Sequence, residues 1–175
     1  RKGMPIDGCI HWLTGTAPGN ELYNMWHDCG AFNDEDIIHS DNFGSIEYKN
    51  KVFTLWCDLE KLRAEMLEIS LEDKRRINRT IRLIKRFHYM PLPMNRPLHT
   101  NNWFQFIGVG LKLLPYVPAY IYASLRSQKK YASKFKSEYL RYYMANIVPG
   151  DNNLYSALSA FGTPVFDNGG VPKGG

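Results

Sequence analysis

Apolar and polar positions alternate loosely over residues 4–13, which predicts a strand. The stretch TGTAPGNE (14–21) is turn chemistry. Asn20 can cap a short helix over 21–29, and Gly30 ends it. Residues 36–40 and 43–48 read as short strands. Asn50 sits between Lys49 and Lys51 as a tight turn, and KVFTLW (51–56) returns, so 43–56 is expected to be a β-hairpin.

The period then lengthens. Asp58 caps a helix running to about residue 69, and Ser70 with Asp73 resembles a capping box opening a second helix over 71–88. PLPMNRP (91–97) breaks the pattern. Two apolar helical pieces follow, 101–113 and 116–126, separated by Pro115 and Pro118. A long helix is predicted over 129–147, ending before Pro149-Gly150, and a last short one over 152–161. No repeat and no low-complexity tract interrupts this order. The fold class expected is α+β, a small antiparallel sheet with helices dominant.

Composition supports a folded chain. Of 175 residues, 44% are apolar and 14% aromatic, which sets the chain apart from disordered sequences. The length fits one domain, or one domain cut from a larger protein. The first residue is Arg rather than Met and GGVPKGG stops in mid-phrase, so a fragment is expected. The three cysteines (Cys9, Cys29 and Cys57) are odd in number and include no CxxC, which disfavours a disulfide framework. No signal peptide is expected in the opening residues.

The net charge of +5 changes the picture only because of where it sits. Residues 71–88 hold seven Lys or Arg against two acids, which matches the whole excess. Arg75, Arg79, Arg82 and Arg86 recur at helical spacing as one stripe, and Ile77, Ile81, Ile84 and His88 form another. A solvated face is the ordinary reading; an anionic-membrane or nucleic-acid face is the functional one. No helix-turn-helix, RRM or KH signature supports nucleic acid.

WFQFIGVGLKLLPYVPAYIYA (103–123) carries a single charge, Lys112. Its two prolines argue against a simple bilayer span despite a sufficient length. An apolar pocket wall or a membrane-touching surface is expected, with a pair of buried core helices as the plain alternative.

The opening stretch PIDGCIHWLTG (5–15) admits several chemistries. On a strand Cys9 and His11 share a face, and with His27 and Cys29 they would make a Cys2His2 set. The spacings CxH and HxC are not those of usual zinc motifs, and His27 and Cys29 diverge on a helix, so no metal site is expected. A thiol nucleophile beside His11 has little else behind it, since no GxSxG or full GxGxxG occurs; GVGLKL (108–113) lacks the third glycine. Gly8, without a Cβ, admits close approach to the strand backbone, by a planar cofactor or by a packed helix. The residues alone leave the stretch open between core strand, thiol–His pair and half a metal site.

RKGMPIDGCIHWLTG (1–15) resembles a stretch of the FAD-dependent desaturases and isomerases of the phytoene desaturase, carotenoid isomerase and retinol saturase type, above all their bacterial NAD(P)/FAD-dependent relatives. In that family a strand of the form DGCxHWL runs beside the flavin, and Gly3, Ile6, Asp7, Gly8, His11 and Trp12 occupy its positions here. The terminal GGVPKGG is similar to the family's xxPxGG stretch, matched by Pro172, Gly174 and Gly175, which in the family begins the helix leading back into the FAD domain. Between these ends the family inserts its substrate domain. The likeness is specific at 3–15, fair at 171–175 and topological between.

The resemblance implies a flavin-proximal strand over 1–15, a substrate-binding domain over 16–168 and the start of the return to the FAD domain over 169–175. It implies the substrate-binding portion of a flavin-dependent oxidoreductase acting on a long apolar, polyene or lipid substrate by hydride chemistry at FAD. Asp7, Gly8, His11 and Trp12 would lie nearest the cofactor, with His11 the best candidate for a catalytic group. Trp103, Phe104, Phe106, Ile107, Leu111, Tyr116 and Tyr120 would line the apolar path. FAD belongs to the full-length parent; the fragment lacks GxGxxG and is not expected to hold it. A cytoplasmic protein, peripheral at the membrane, and some self-association of the fragment are expected. The alternative is a lipid- or membrane-binding module without catalysis.

Overall fold

The computed structural model describes residues 12–19, 21–33, 36–90, 102–150 and 152–173. The strands are β1 (Leu13–Thr14), β2 (Ile37–Ile38), β3 (Asn42–Tyr48), β4 (Lys51–Trp56) and β5 (Gly169–Pro172). The helices are α1 (Glu21–Asp28), α2 (Leu59–Ile69), α3 (Lys74–His88), α4 (Trp103–Leu113), α5 (Val117–Ser124), α6 (Gln128–Ala132), α7 (Glu138–Asn146) and α8 (Leu154–Gly162). Two small antiparallel sheets, β1-β5-β2 and β3-β4, accompany the helices, an α+β fold.

The predicted hairpin is present. Tyr48 pairs with Lys51 across a two-residue loop in which Lys49 and Asn50 have φ of 49° and 59°. Two successive left-handed residues match the twist of the strands they join. A register shift between Asn42 and Ser45 marks a bulge, and Gly44 at φ 149° supplies the backbone conformation it needs. Glu65 of α2 pins the hairpin from behind, accepting from the Thr54 backbone N–H at 2.9 Å and from the Trp56 indole N–H.

The core lies between this hairpin and α2, α3, α6, α7 and α8. Asp58 starts α2 as expected, its carboxylate accepting from the backbone N–H groups of Glu60 and Lys61. Ile77, Ile81, Ile84 and Phe87 form the buried side of α3, against which α8 packs Leu158 and Phe161. Phe53 stacks on Tyr143 of α7 at 4.7 Å, joining hairpin to helices.

Three predicted features differ. Ser70 is not half of a capping box; its hydroxyl donates to Asp73 at 3.0 Å, and a 3-10 turn (Leu71–Asp73) precedes α3. The helix expected over 129–147 is two helices. Buried Phe135 drops into the core between them, Ser137 caps α7, and the Asp73 carboxylate accepts from the Lys136 and Ser137 backbone N–H groups at 2.8 and 3.0 Å. A carboxylate from elsewhere in the chain thus replaces the helical hydrogen bonds there. Finally, 169–172 is a strand between β1 and β2, an element the residue pattern did not predict; Gly174 and Gly175, where the resemblance implied the beginning of a helix, lie outside the described residues.

Candidate functional site

The first candidate region is built on the β1-β5-β2 ribbon. Leu13 and Thr14 pair with Gly170 and Gly169, while Ile37 and Ile38 pair with Pro172 and Val171. Buried Thr16 locks the two chain segments: its hydroxyl donates to the Asp167 carbonyl and accepts from the Gly170 N–H, both at 2.9 Å. A Cβ added at Gly169 would lie 2.9 Å from the Pro164 backbone, so the ribbon reaches that close only because the position carries no side chain.

Trp12 stands at the entry to this ribbon. Its ring meets Phe43 edge-on at 5.1 Å. Together they line a cleft of about 500 Å³ whose other apolar walls are Val148, Pro149, Pro164 and Val171. Of the four residues implied to lie nearest the cofactor, Trp12 is placed here; Asp7, Gly8 and His11 lie outside the described residues, as does Cys9. Among the described residues no group of three or more His, Cys, Asp or Glu could hold a metal. His27 packs between Tyr23 and Phe32, at 4.4 and 5.1 Å.

Behind the ribbon, Phe166 and Asp167 are consecutive non-glycine residues at φ 67° and 59°. Such backbone is held only where its surroundings over-determine it. Here Phe166 wedges against His88 at 4.2 Å and Tyr89 at 5.5 Å, and the Asp167 carbonyl is held by Thr16. Asp167 and Asp41 flank Cys57 in an adjoining cleft of about 390 Å³. Burial, then those two carboxylates, push the Cys57 thiol up to about 11. Cys57 is therefore a protonated thiol at neutral pH, poorly suited to nucleophilic chemistry. Burial lowers the pKa of His88. The sequence placed Cys57 only in the cysteine count and His88 only in the apolar stripe of α3, because what acts on their titration comes from distant segments.

The second candidate region is the α4–α5 pair. The helices are bent by 71° across the connection containing Pro115. No residue of α4 is buried; Trp103 is 73% and Phe104 80% exposed. Phe106, Ile107, Leu111 and Tyr120 are exposed as well, and Tyr116 is half-buried. The seven residues expected along an apolar path thus belong to one helical pair that turns its apolar side chains outward. The plain alternative, buried core helices, does not describe α4. Only α5 is anchored, through Ala119 and Ala123 and by Tyr120 packed on Tyr155 of α8.

The arginine stripe of α3 meets this pair. Arg75, Arg79, Arg82 and Arg86 are all exposed, as their spacing predicted. Two of them turn to the α4–α5 segment: Arg86 donates to the Pro115 carbonyl at 2.7 Å, and the Arg79 guanidinium lies 4.0 Å from the centre of the Tyr122 ring. Arg126 covers the same ring at 3.8 Å. No single described helix is long and apolar enough to cross a membrane; the bent pair reaches the length and composition only together.

Compared with protein-family models, curated proteins and solved structures, the chain matches none.

Proposed function

We propose that this chain is the substrate-binding portion of a flavin-dependent oxidoreductase of the phytoene desaturase-like kind, acting on a long apolar, polyene or lipid substrate. The observation that supports it most is the pairing of β1 with β5 beside the Trp12 cleft. Leu13 and Thr14, at the end of one stretch that carries the resemblance, pair with Gly170 and Gly169, which open the other. A domain inserted into a larger one enters and leaves its host through such a ribbon.

The described residues suit one part of FAD and not another. The apolar cleft with Trp12, Phe43 and Pro164 offers flat walls to a planar ring. A pyrophosphate cradle needs a glycine-rich turn at a helix N-terminus, and the sequence contains no GxGxxG. FAD, when bound, supplies the hydride chemistry. This chain's part is to orient an apolar chain and keep water from it, with Trp12 at the cleft and the α4–α5 face receiving the substrate. The test is to express the chain together with its upstream coding sequence. The longer protein should purify yellow with a flavin absorbance spectrum, and the 175-residue chain alone colourless. A longer protein that stays flavin-free after incubation with FAD would overturn the reading.

The exposed α4 face favours a second reading, a lipid- or membrane-binding module without catalysis. Apolar side chains beside cationic ones are the surface a headgroup–acyl boundary accepts. Under this reading flotation with anionic vesicles is retained by the chain alone, while the longer protein carries no flavin.

A further inference from the structure

Where the start of α3 meets the α6–α7 connection, a groove of about 230 Å³ is lined by Arg75, Arg76, Arg79, Lys134 and Lys136. Its two acids, Glu72 and Asp73, are already engaged. Glu72 pairs with the Lys136 ammonium at 3.3 Å. Asp73 accepts from the Ser70 hydroxyl and from the backbone N–H groups of Lys136 and Ser137. Among the described residues Arg75, Arg76, Arg79 and Lys134 have no carboxylate partner.

Two of these guanidiniums are fixed without spending their donors on acids. Arg79 lies over Tyr122, and Arg76 lies 5.8 and 5.6 Å from the centres of the Tyr131 and Phe135 rings. Tyr131 and Phe135 are buried, so the Arg76 platform belongs to the rigid core. Stacking on an aromatic face orients a guanidinium while its N–H groups stay free for a bidentate acceptor. The five cations and two carboxylates lining the groove leave a net charge of +3, and a bound anion relieves the repulsion among the cations.

We infer that this groove binds a phosphate-class anion, with Arg76 and Arg79 as pre-positioned forks and Arg75 and Lys134 completing the charge. Tetrahedral oxyanions accept paired N–H donors of this kind. The phosphate can be soluble or part of a lipid headgroup; the recognition chemistry is the same. The inference stands on these cations alone, independently of any flavin.

Calorimetric titration of the whole chain with inorganic diphosphate tests the soluble source. Flotation with phosphatidylglycerol against phosphatidylcholine vesicles tests the lipid one. Arg75→Gln/Lys134→Gln is expected to weaken diphosphate binding by about tenfold or more, the scale of one charge-assisted hydrogen bond. The equally neutralising pair Lys61→Gln/Lys173→Gln, outside the groove, should change it less than about twofold, as screened distant charges do. Arg79→Lys keeps the charge and removes the fork, so it should weaken binding as well; it also serves should the double variant fail to fold. A lipid source appears instead as flotation with phosphatidylglycerol alone, lost in the groove variants and kept in the control. Absence of binding in both arms overturns the inference, as does equal loss in groove and control variants or an Arg79→Lys variant that binds normally. Flotation lost with Trp103→Ser but kept in the groove variants, without diphosphate binding, also overturns it and leaves the lipid-surface reading intact.

Discussion

Cys57 illustrates how far a side chain's chemistry depends on neighbours that its local sequence does not reveal. The thiol is followed by Asp58, which turns to cap α2, while burial, and then Asp167 and Asp41 from other segments, raise its pKa. Iodoacetamide near neutral pH is expected to label exposed Cys29 quickly and Cys57 slowly, read by peptide mass spectrometry. Asp167→Asn removes a negative charge, lowers the thiol pKa and should speed Cys57 labelling at a fixed pH. The raised value also means that the thiol's contribution to stability is full below its unfolded value of about 9.0 and is lost as pH rises through about 11. His88 works in the opposite direction. Burial favours its neutral form, so its contribution is present above the unfolded value of 6.5 and is lost as pH falls through the depressed folded one. Acidification below about pH 6.5 should lower the melting temperature, and less so in His88→Gln.

At the scale of elements, periodicity and local caps carried most of the information. The hairpin turn at Lys49-Asn50 and the Asp58 cap were legible because each is set by adjacent residues. The ordinary solvated-helix pattern of α3 was legible for the same reason, its buried isoleucines and outward arginines falling at one helical period. The break between α6 and α7 was not, because the carboxylate that accepts the freed N–H groups lies 63 residues before Lys136. Ser137, which caps α7, was the one local sign of it. Asp73→Ala should cost about 2 kcal/mol in urea denaturation, since part-buried backbone N–H groups lose a charged acceptor. Asp73→Asn should recover part of this, and hydrogen exchange should accelerate at the Lys136 and Ser137 amides before the rest of α7.

Over the whole molecule, the apolar character of 103–123 was plain in the sequence, but its exposure was not. Periodicity cannot say whether a partner element covers an apolar helix. That was settled by α5 alone reaching the core, with Arg79 and Arg86 engaging the α5 segment and its connection to α4. Trp12 was legible as a candidate and stands at a cleft; Asp7, Gly8 and His11 lie outside the described residues. Because Trp103 and Phe104 are exposed, Trp103→Ser/Phe104→Ser should change folding stability by no more than about 0.5 kcal/mol per site. The same pair should reduce self-association in sedimentation velocity and weaken flotation with vesicles.

The antiparallel ribbon that brings β1 to β5 also sets how the fold answers a pull on the chain at either side of it. Leu13 faces Gly170 and Thr14 faces Gly169, so tension on the two outgoing chain segments meets the backbone hydrogen bonds one after another rather than all together. That is peeling, the geometry of least mechanical resistance. Strain arriving from outside is spent on a few ladder bonds and the Thr16 clasp, while the helical core behind them keeps its packing. The ribbon is the mechanical fuse of the fold.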